Sequence, residues 1–93
     1  MSAVILYDGT FYPLHRAHLY ILKSAAEHFQ NYYPKVYQYI CPGSLRSKFR
    51  ECGRHDEDVR RAQIELILSR ETSVNLLWST SFTNRNLVIQ TVK

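Results

Sequence analysis

Hydrophobic residues follow two different patterns in the first third of the chain. Residues 3–7 (AVILY) form a short unbroken apolar run that ends at Asp8-Gly9. A run of this kind is typical of a strand that is buried on both faces of a parallel sheet. From residue 15 to residue 30 the apolar positions recur every three or four residues, and this spacing predicts an amphipathic helix. The chain is therefore expected to begin with a strand followed by a helix.

The same alternation continues in the rest of the chain. β-Branched and aromatic residues at 35–41 precede Pro42-Gly43, which is a strong turn signal, and residues 44–55 are polar without a clear period. The patterns predict a strand at 35–41, a helix at 56–70 capped by Asp56 with an apolar face of Val59, Ala62, Leu66 and Ile67, a strand at 74–78, and the start of a third helix at Thr83 or Asn84.

Alternation of strands and helices predicts an α/β fold, because a helix is the usual connection between two parallel strands. Three strands with their helices make half of a doubly wound, Rossmann-like fold, in which a parallel sheet carries helices on both faces. A chain of 93 residues is of the size of one domain, so residues 1–93 are interpreted as a single α/β domain.

Composition narrows the classes of partner. Twelve Lys and Arg against eight Asp and Glu give a formal charge of +4, which suits an anionic ligand such as a nucleotide. The chain has no run of five like charges, so a nucleic-acid partner is not expected. No apolar run is long enough for a membrane span or a signal sequence, and two cysteines make no disulfide framework. We expect a cytoplasmic protein with no membrane partner.

The candidate chemistry lies where the first strand meets the first helix. Gly9, Thr10 and Phe11 follow the strand, and His15 and His18 open the helix. Ligands of parallel sheets bind beyond the carboxyl ends of strands, and a helix N-terminus there offers N–H groups to a phosphate. A glycine lets the backbone approach an anion closely, and histidines three apart share one side of a helix. Such groups stabilise the charge that develops on phosphorus in phosphoryl and nucleotidyl transfer.

Two histidines at a helix start can also serve roles that involve no phosphate. A surface pair or a helix-capping contact is the common one. A zinc site is a second, although two histidines without a nearby third ligand make a poor site. These alternatives stay open on the residues alone.

The segment GTFYPLHRAHL, residues 9–19, resembles the (H/T)xGH signature of the nucleotidyltransferase superfamily, GTFDPxHxGHL. The positions that match are Gly9, Thr10, Phe11, Pro13, His15, His18 and Leu19. Members of this superfamily join a nucleoside triphosphate to a phosphate-bearing acceptor and release pyrophosphate. They include the mononucleotide adenylyltransferases, pantetheine-phosphate adenylyltransferase and the cytidylyltransferases. The resemblance implies that five residues bind the nucleotide: Gly9, Thr10, Phe11, His15 and His18. It also implies a catalytic role for the two histidines.

A second segment is similar to the nicotinate and nicotinamide mononucleotide adenylyltransferases. Pro42 follows a strand, Lys48 lies in the loop beyond it, and residues 61–64 stand where those enzymes have an Arg-x-x-Met pattern. The resemblance implies transfer of the adenylyl group of ATP, with Mg²⁺ on the triphosphate, to a mononucleotide in NAD biosynthesis. It makes Lys48 a third catalytic residue in contact with substrate phosphates, and Trp78 a residue that stacks on the pyridine ring.

The chain departs from the family pattern in four places. Ala17 replaces a glycine, Tyr12 replaces an acidic or amide residue, and Asp8 precedes the motif as it does in cytidylyltransferases. The C-terminal ISSTxxR segment of the family has no good counterpart, because the similar letters at 79–85 come too early. The resemblance thus covers the first half of a family domain, and we expect a domain truncated at its C-terminus.

Three hypotheses therefore stand. The first is an adenylyltransferase, the second is a non-catalytic nucleotide-binding or assembly domain, and the third is a cytidylyltransferase-like member of the superfamily. The alternative interpretation of Lys48 is a residue of a solvated loop. The alternative interpretation of Trp78 is a residue of the hydrophobic core. Arg60 and Arg61 are expected to pair with acidic neighbours on the helix surface. The acceptor and the oligomeric state, a homo-oligomer included, stay open.

Overall fold

The computed structural model of the chain describes residues 1–43, 51, 53–78 and 87–92. Its elements are β1 (Ser2–Gly9), α1 (Arg16–Phe29), β2 (Lys35–Pro42), α2 (Arg54–Leu68), β3 (Val74–Leu76) and β4 (Leu87–Val92). They form one four-stranded sheet in the order β3-β2-β1-β4, in which β1, β2 and β3 are parallel. The predicted α/β class with a mostly parallel, Rossmann-like sheet is confirmed.

One hydrophobic core joins the sheet to both helices. Ile5 of β1 and Ile40 of β2 pack with Leu22 of α1 and Ile64 of α2, and all four side chains are fully buried. Both helices therefore cover the same face of the sheet. The helices that the sequence predicted on both faces are seen on one face in the described part of the chain, as in half of a doubly wound fold.

The opposite face of the sheet carries no helix within the described residues. Val4 and Leu6 of β1 are half-buried there, and Tyr37 of β2 and Leu77 after β3 are 42% and 49% exposed. Of the helices that the structure describes, none is long and apolar enough to cross a membrane.

The last predicted helix is wrong, because residues 87–92 form a strand. β4 pairs antiparallel with β1, from Ser2 opposite Val92 to Tyr7 opposite Leu87. The segment LVIQTV is rich in β-branched residues, and β1 would otherwise present an unpaired edge of backbone N–H and C=O groups. The predicted caps of that helix, Thr83 and Asn84, lie outside the described residues.

Helix α2 differs from its prediction in its start and in its buried face. It begins at Arg54 with Gly53 as N-cap, so Asp56 lies inside the first turn. The predicted apolar face is wrong at Val59, Ala62 and Leu66, which are exposed, with Val59 at 46% and Leu66 at 61%. Its fourth member, Ile67, packs against the core as predicted. The side that faces the core instead carries Arg60, Gln63, Ile64, Ile67 and Leu68. Two polar side chains, those of Arg60 and Gln63, therefore face the interior.

Candidate functional site

A cavity of about 350 Å³ opens at the carboxyl end of β1. Its walls are Tyr7, Asp8, Gly9, Thr10, Phe11, Tyr12, Pro13, His15 and His18. The structure thus brings together all five residues that the sequence proposed for nucleotide binding. Lys48 lies outside the described residues. Trp78 follows β3 and does not line this cavity.

The turn after β1 is shaped by a close contact between Gly9 and Phe11. Phe11 has a left-handed backbone, with φ of 49°, and its ring is turned inward so that the residue is only 3% exposed. A Cβ on Gly9 would lie 2.9 Å from Phe11 Cζ, which is too short for a carbon–carbon contact. The sequence predicts that an anion approaches the backbone closely at Gly9. In the structure, the close neighbour on this side of Gly9 is the aromatic ring of Phe11. Glycine is required here for packing.

The two histidines lie against each other at the start of α1. Their ring centroids are 5.5 Å apart and the rings are nearly parallel, at 29°. His15 is the N-cap residue, and its backbone N–H donates to Nδ1 of His18 over 2.9 Å. The His18 ring also makes T-shaped contacts with the Phe11 and Tyr7 rings, at centroid distances of 5.0 and 6.0 Å. Its orientation is therefore set from three sides.

The hydrogen bond at Nδ1 decides the tautomer of His18. A nitrogen that accepts a hydrogen bond carries no proton, so the neutral ring is assigned as the Nε2–H form. Nε2 of His18 is then a hydrogen-bond donor, which is the form that suits a phosphate oxygen. The helix-capping contact, which was one alternative for the two histidines, is thus present. It makes Nε2 of His18 a donor.

Residues 10–14, here called the site loop, are held by side chains of α2. Arg60 donates from Nη1 to the carbonyl oxygen of Thr10 over 2.9 Å and from Nη2 to Oε2 of Glu57 over 2.7 Å. Arg60 is only 2% exposed. Its expected place on the helix surface is therefore wrong, although its pairing with an acidic neighbour is confirmed. The expected surface pair of Arg61 with Glu65 is present at 3.8 Å.

Gln63 holds the other end of the site loop at two points. Its Nε2 donates to the carbonyl oxygen of Leu14, and its Oε1 accepts from the backbone N–H of Leu14, both over 3.0 Å. The amide therefore pairs with Leu14 as a neighbouring strand would. Sequence periodicity missed Arg60 and Gln63, because a polar residue on a helix is assigned to the solvent side unless its partner in the fold is known.

A third contact ties the middle of the site loop to the first turn of α2. The Tyr12 hydroxyl donates to Oδ1 of Asp56 over 3.2 Å, and Oδ2 of Asp56 accepts from the backbone N–H of Gly53 over 2.9 Å. The Gly53 N–H first, and then the Tyr12 hydroxyl, hold the pKa of Asp56 below its ordinary value. The carboxylate is thus stabilised in its charged form at the end of α2 that is favourable for anions.

Trp78 lies beside α2 and packs against the core. The guanidinium carbon of Arg61 is 4.0 Å from the centroid of the indole, and that of Arg60 is 5.7 Å away. Cations at these distances are attracted to the face of the ring. The core position that the sequence offered as an alternative for Trp78 is present, and Arg61 lies over its ring.

Asp8 and Cys41 are neighbours across β1 and β2 at the edge of the cavity. Burial raises the pKa of the Cys41 thiol to about 11, and the charge and hydrogen bond of Asp8 contribute to this rise. The thiol is therefore protonated at neutral pH and is a poor nucleophile. Within the described ranges, no three His, Cys, Asp or Glu side chains come together as metal ligands, so no third zinc ligand joins His15 and His18 there.

A family model described as cytidylyltransferase-like matches residues 6–76, from β1 to β3, and includes the site loop, both histidines and α2. No curated protein and no solved structure gives a significant match. The resemblance to the nucleotidyltransferase superfamily is confirmed at this level, and the match does not distinguish the mononucleotide adenylyltransferases from other members. Because the family model spans most of the chain, the chain belongs to the cytidylyltransferase-like family.

Proposed function

We propose that this chain is a nucleotidyltransferase domain. An oxygen of the acceptor's phosphate attacks the α-phosphorus of a nucleoside triphosphate, and the bond from the α-phosphorus to the oxygen that bridges it to the β-phosphate breaks. Pyrophosphate leaves with that oxygen, and the acceptor phosphate becomes joined to the nucleotide. Such a reaction needs positioned donors and charge stabilisation, and it needs no covalent bond to the protein.

The observation that carries this proposal is the hydrogen bond between the His15 N–H and Nδ1 of His18. It makes Nε2 of His18 a donor in a cavity at the N-terminal end of α1, where the helix dipole also favours negative charge. A donor that is oriented before the ligand binds stabilises developing charge without further reorganisation. His15 lies beside it and supplies a second imidazole for the triphosphate.

Thr10 gives independent support for an oxygen-rich ligand. Thr10 is 8% exposed, and among the described residues its hydroxyl oxygen has no hydrogen-bond partner. A buried hydroxyl without a partner costs about 1–3 kcal/mol. A phosphate oxygen placed against the site loop would accept a hydrogen bond from this hydroxyl and remove that cost.

We assign ATP as the nucleotide and a nicotinate or nicotinamide mononucleotide as the acceptor, on the resemblance around Pro42, Lys48 and α2. Lys48 would contact substrate phosphates. Trp78 would stack on the pyridine ring, either on the face opposite Arg61 or by displacing it. Mg²⁺ would enter with the triphosphate as part of the substrate, since the described residues gather no cluster of ligands for it. The ion would neutralise charge on the phosphate oxygens.

A cytidylyltransferase activity is the second candidate, in which CTP replaces ATP. Two observations favour it: the description of the matching family and the Asp8-Gly9 pair before the motif. The acceptor would again carry a phosphate, and the same residues of the site loop would hold the triphosphate.

Release of pyrophosphate tests the proposal. ATP and CTP are each incubated with Mg²⁺ and one of three acceptors: a nicotinate mononucleotide, phosphopantetheine or a sugar or polyol phosphate. Release from ATP with the mononucleotide supports the assignment, and release from CTP supports the second candidate. Binding of both nucleotides without release from either contradicts catalysis and leaves a nucleotide-binding domain.

A further inference from the structure

We propose that Gln63 and Arg60 are positioning residues, which hold the site loop and thereby set the place and the tautomer of His18. Neither side chain lines the cavity, so each would act through the backbone that it binds. The effect of this positioning on catalysis rests on the proposed function. Its effect on the tautomer of His18 does not.

Gln63 acts at the start of α1. It binds both the N–H and the C=O of Leu14, the residue directly before the N-cap His15. A residue held at both backbone groups has little freedom to rotate, so the direction of the next N–H is fixed as well. That N–H belongs to His15 and is the one that Nδ1 of His18 accepts. The chain of contacts from Gln63 to His18 is thus continuous.

Arg60 acts at the other end of the site loop. The Thr10 carbonyl oxygen points to its Nη1, inside the protein, and so this partial negative charge is turned away from a cavity proposed for an anion. The guanidinium also brings a positive charge beneath the cavity wall, balanced by one carboxylate, Glu57. Both effects stabilise a phosphate in the cavity more than they stabilise a neutral ligand there.

Apolar side chains would suit these two positions if they served the core alone. Ile64, Ile67 and Leu68 share the same side of α2 and are buried or half-buried. Burying an amide or a guanidinium among them is costly unless its polar atoms are paired. The partners that Gln63 and one half of Arg60 find are backbone groups of the site loop, which ties the polar character of this helix face to the loop.

Imidazole nitrogen NMR on the ¹⁵N-labelled chain tests the proposal without any activity. We expect the unsubstituted protein to show the Nε2–H form of His18. Gln63→Leu, which removes both bonds to Leu14, should give a mixture of the Nε2–H and Nδ1–H tautomers at the same pH. Gln63→Glu keeps the acceptor for the Leu14 N–H and loses the donor, and it serves if the leucine variant does not fold. An unchanged His18 spectrum in a folded Gln63 variant would overturn the proposal.

Two controls separate positioning from stability. Ile64→Val weakens the core on the neighbouring position of α2, and Glu65→Gln changes an exposed partner of Arg61. Both should leave the His18 spectrum unchanged. In the transfer assay, Gln63→Leu should lower kcat by about 10²-fold with a smaller change in the KM of the nucleotide, as a misplaced catalytic group does. If the unsubstituted chain shows no transfer, the proposed function fails, while the NMR comparison still decides the positioning.

Discussion

His18 shows how one hydrogen bond gives a residue a defined chemical role. The sequence places two histidines at a helix start, and the same pair serves equally well as a surface or capping contact. In the structure Nδ1 is used for capping and Nε2 is the donor of the neutral ring. Structural and chemical roles are thus divided between the two nitrogens of one imidazole.

We expect His18→Ala to lower kcat by about 10²–10³-fold, because loss of one transition-state donor costs about 2.7–4 kcal/mol. The dissociation constant of ATP should change far less, since Thr10 and the backbone of the site loop remain. Turnover and calorimetric binding measure the two effects. His28→Ala, at the other end of α1, is the control and should leave kcat unchanged. A variant that loses affinity and kcat in equal measure would show that His18 serves ground-state binding.

Gly9 is sensitive for a different reason, which is the ring of Phe11. We expect Gly9→Ala to lower the free energy of unfolding by about 1–3 kcal/mol, because the added methyl group meets Phe11 at 2.9 Å. Urea unfolding measures the loss. Gly53→Ala is the matched control, since no atom lies within 4 Å of a Cβ built there and only the modest capping preference of its position changes. Equal losses in the two variants would contradict the packing role.

At the scale of elements, local pattern predicts most of the molecule. β1, α1 and β2 are confirmed within about two residues, because each has a clear period and an explicit turn signal after it. Helix α2 is found at nearly the predicted place but is turned, so that Arg60 is buried and Val59 is exposed. That rotation depends on hydrogen bonds to a loop about 50 residues away, and no local pattern encodes them. β4 was missed because its partner, β1, is even more remote in the sequence.

The first turn of α2 makes stability depend on pH. The folded pKa of Asp56 is lowered, so this carboxylate stabilises the fold above its unfolded pKa of about 3.9. The contribution is lost as the pH falls through the lower folded value. We expect Asp56→Asn to reduce the free energy of unfolding at neutral pH and the reduction to vanish in acid. Urea unfolding across this pH range measures it. Asp58→Asn, at an exposed position two residues further along α2, should show a smaller effect. A loss that is equal at every pH would exclude the charge as the cause.

At the scale of the whole molecule, the predicted site and the predicted fold support each other. The motif residues were expected to meet at the carboxyl end of β1, and six of the seven line one cavity there. What the sequence could not supply is the support behind them, since Gln63 and Arg60 contact backbone atoms of the site loop. A contact to a backbone group does not depend on the side chain at that position, so the residue type there does not indicate it. Lys48 stays a prediction.

A ligand that binds only the folded chain raises its stability by mass action. At 100 times its dissociation constant, ATP should add about 2.7 kcal/mol to the free energy of unfolding. For a chain of this length that corresponds to a rise in Tm of roughly 10–20 °C. A thermal unfolding series with Mg²⁺ measures it. Adenosine, which lacks phosphates, is the control and should change Tm little, and equal shifts with both ligands would place recognition on the base.

The antiparallel pairing of β4 with β1 has a consequence for the order of folding. Residues 2–7 are synthesised before residues 87–92, yet one edge of their strand is completed only by the later segment. Contacts between such distant segments carry a high loop-closure cost and form late. The strand that presents Gly9 to the cavity therefore stays unpaired on that edge until residues 87–92 have been synthesised. Hydrogen exchange on nascent-chain mimics of increasing length should show the amides of β1 becoming protected in two steps, and nucleotide affinity should rise with the second.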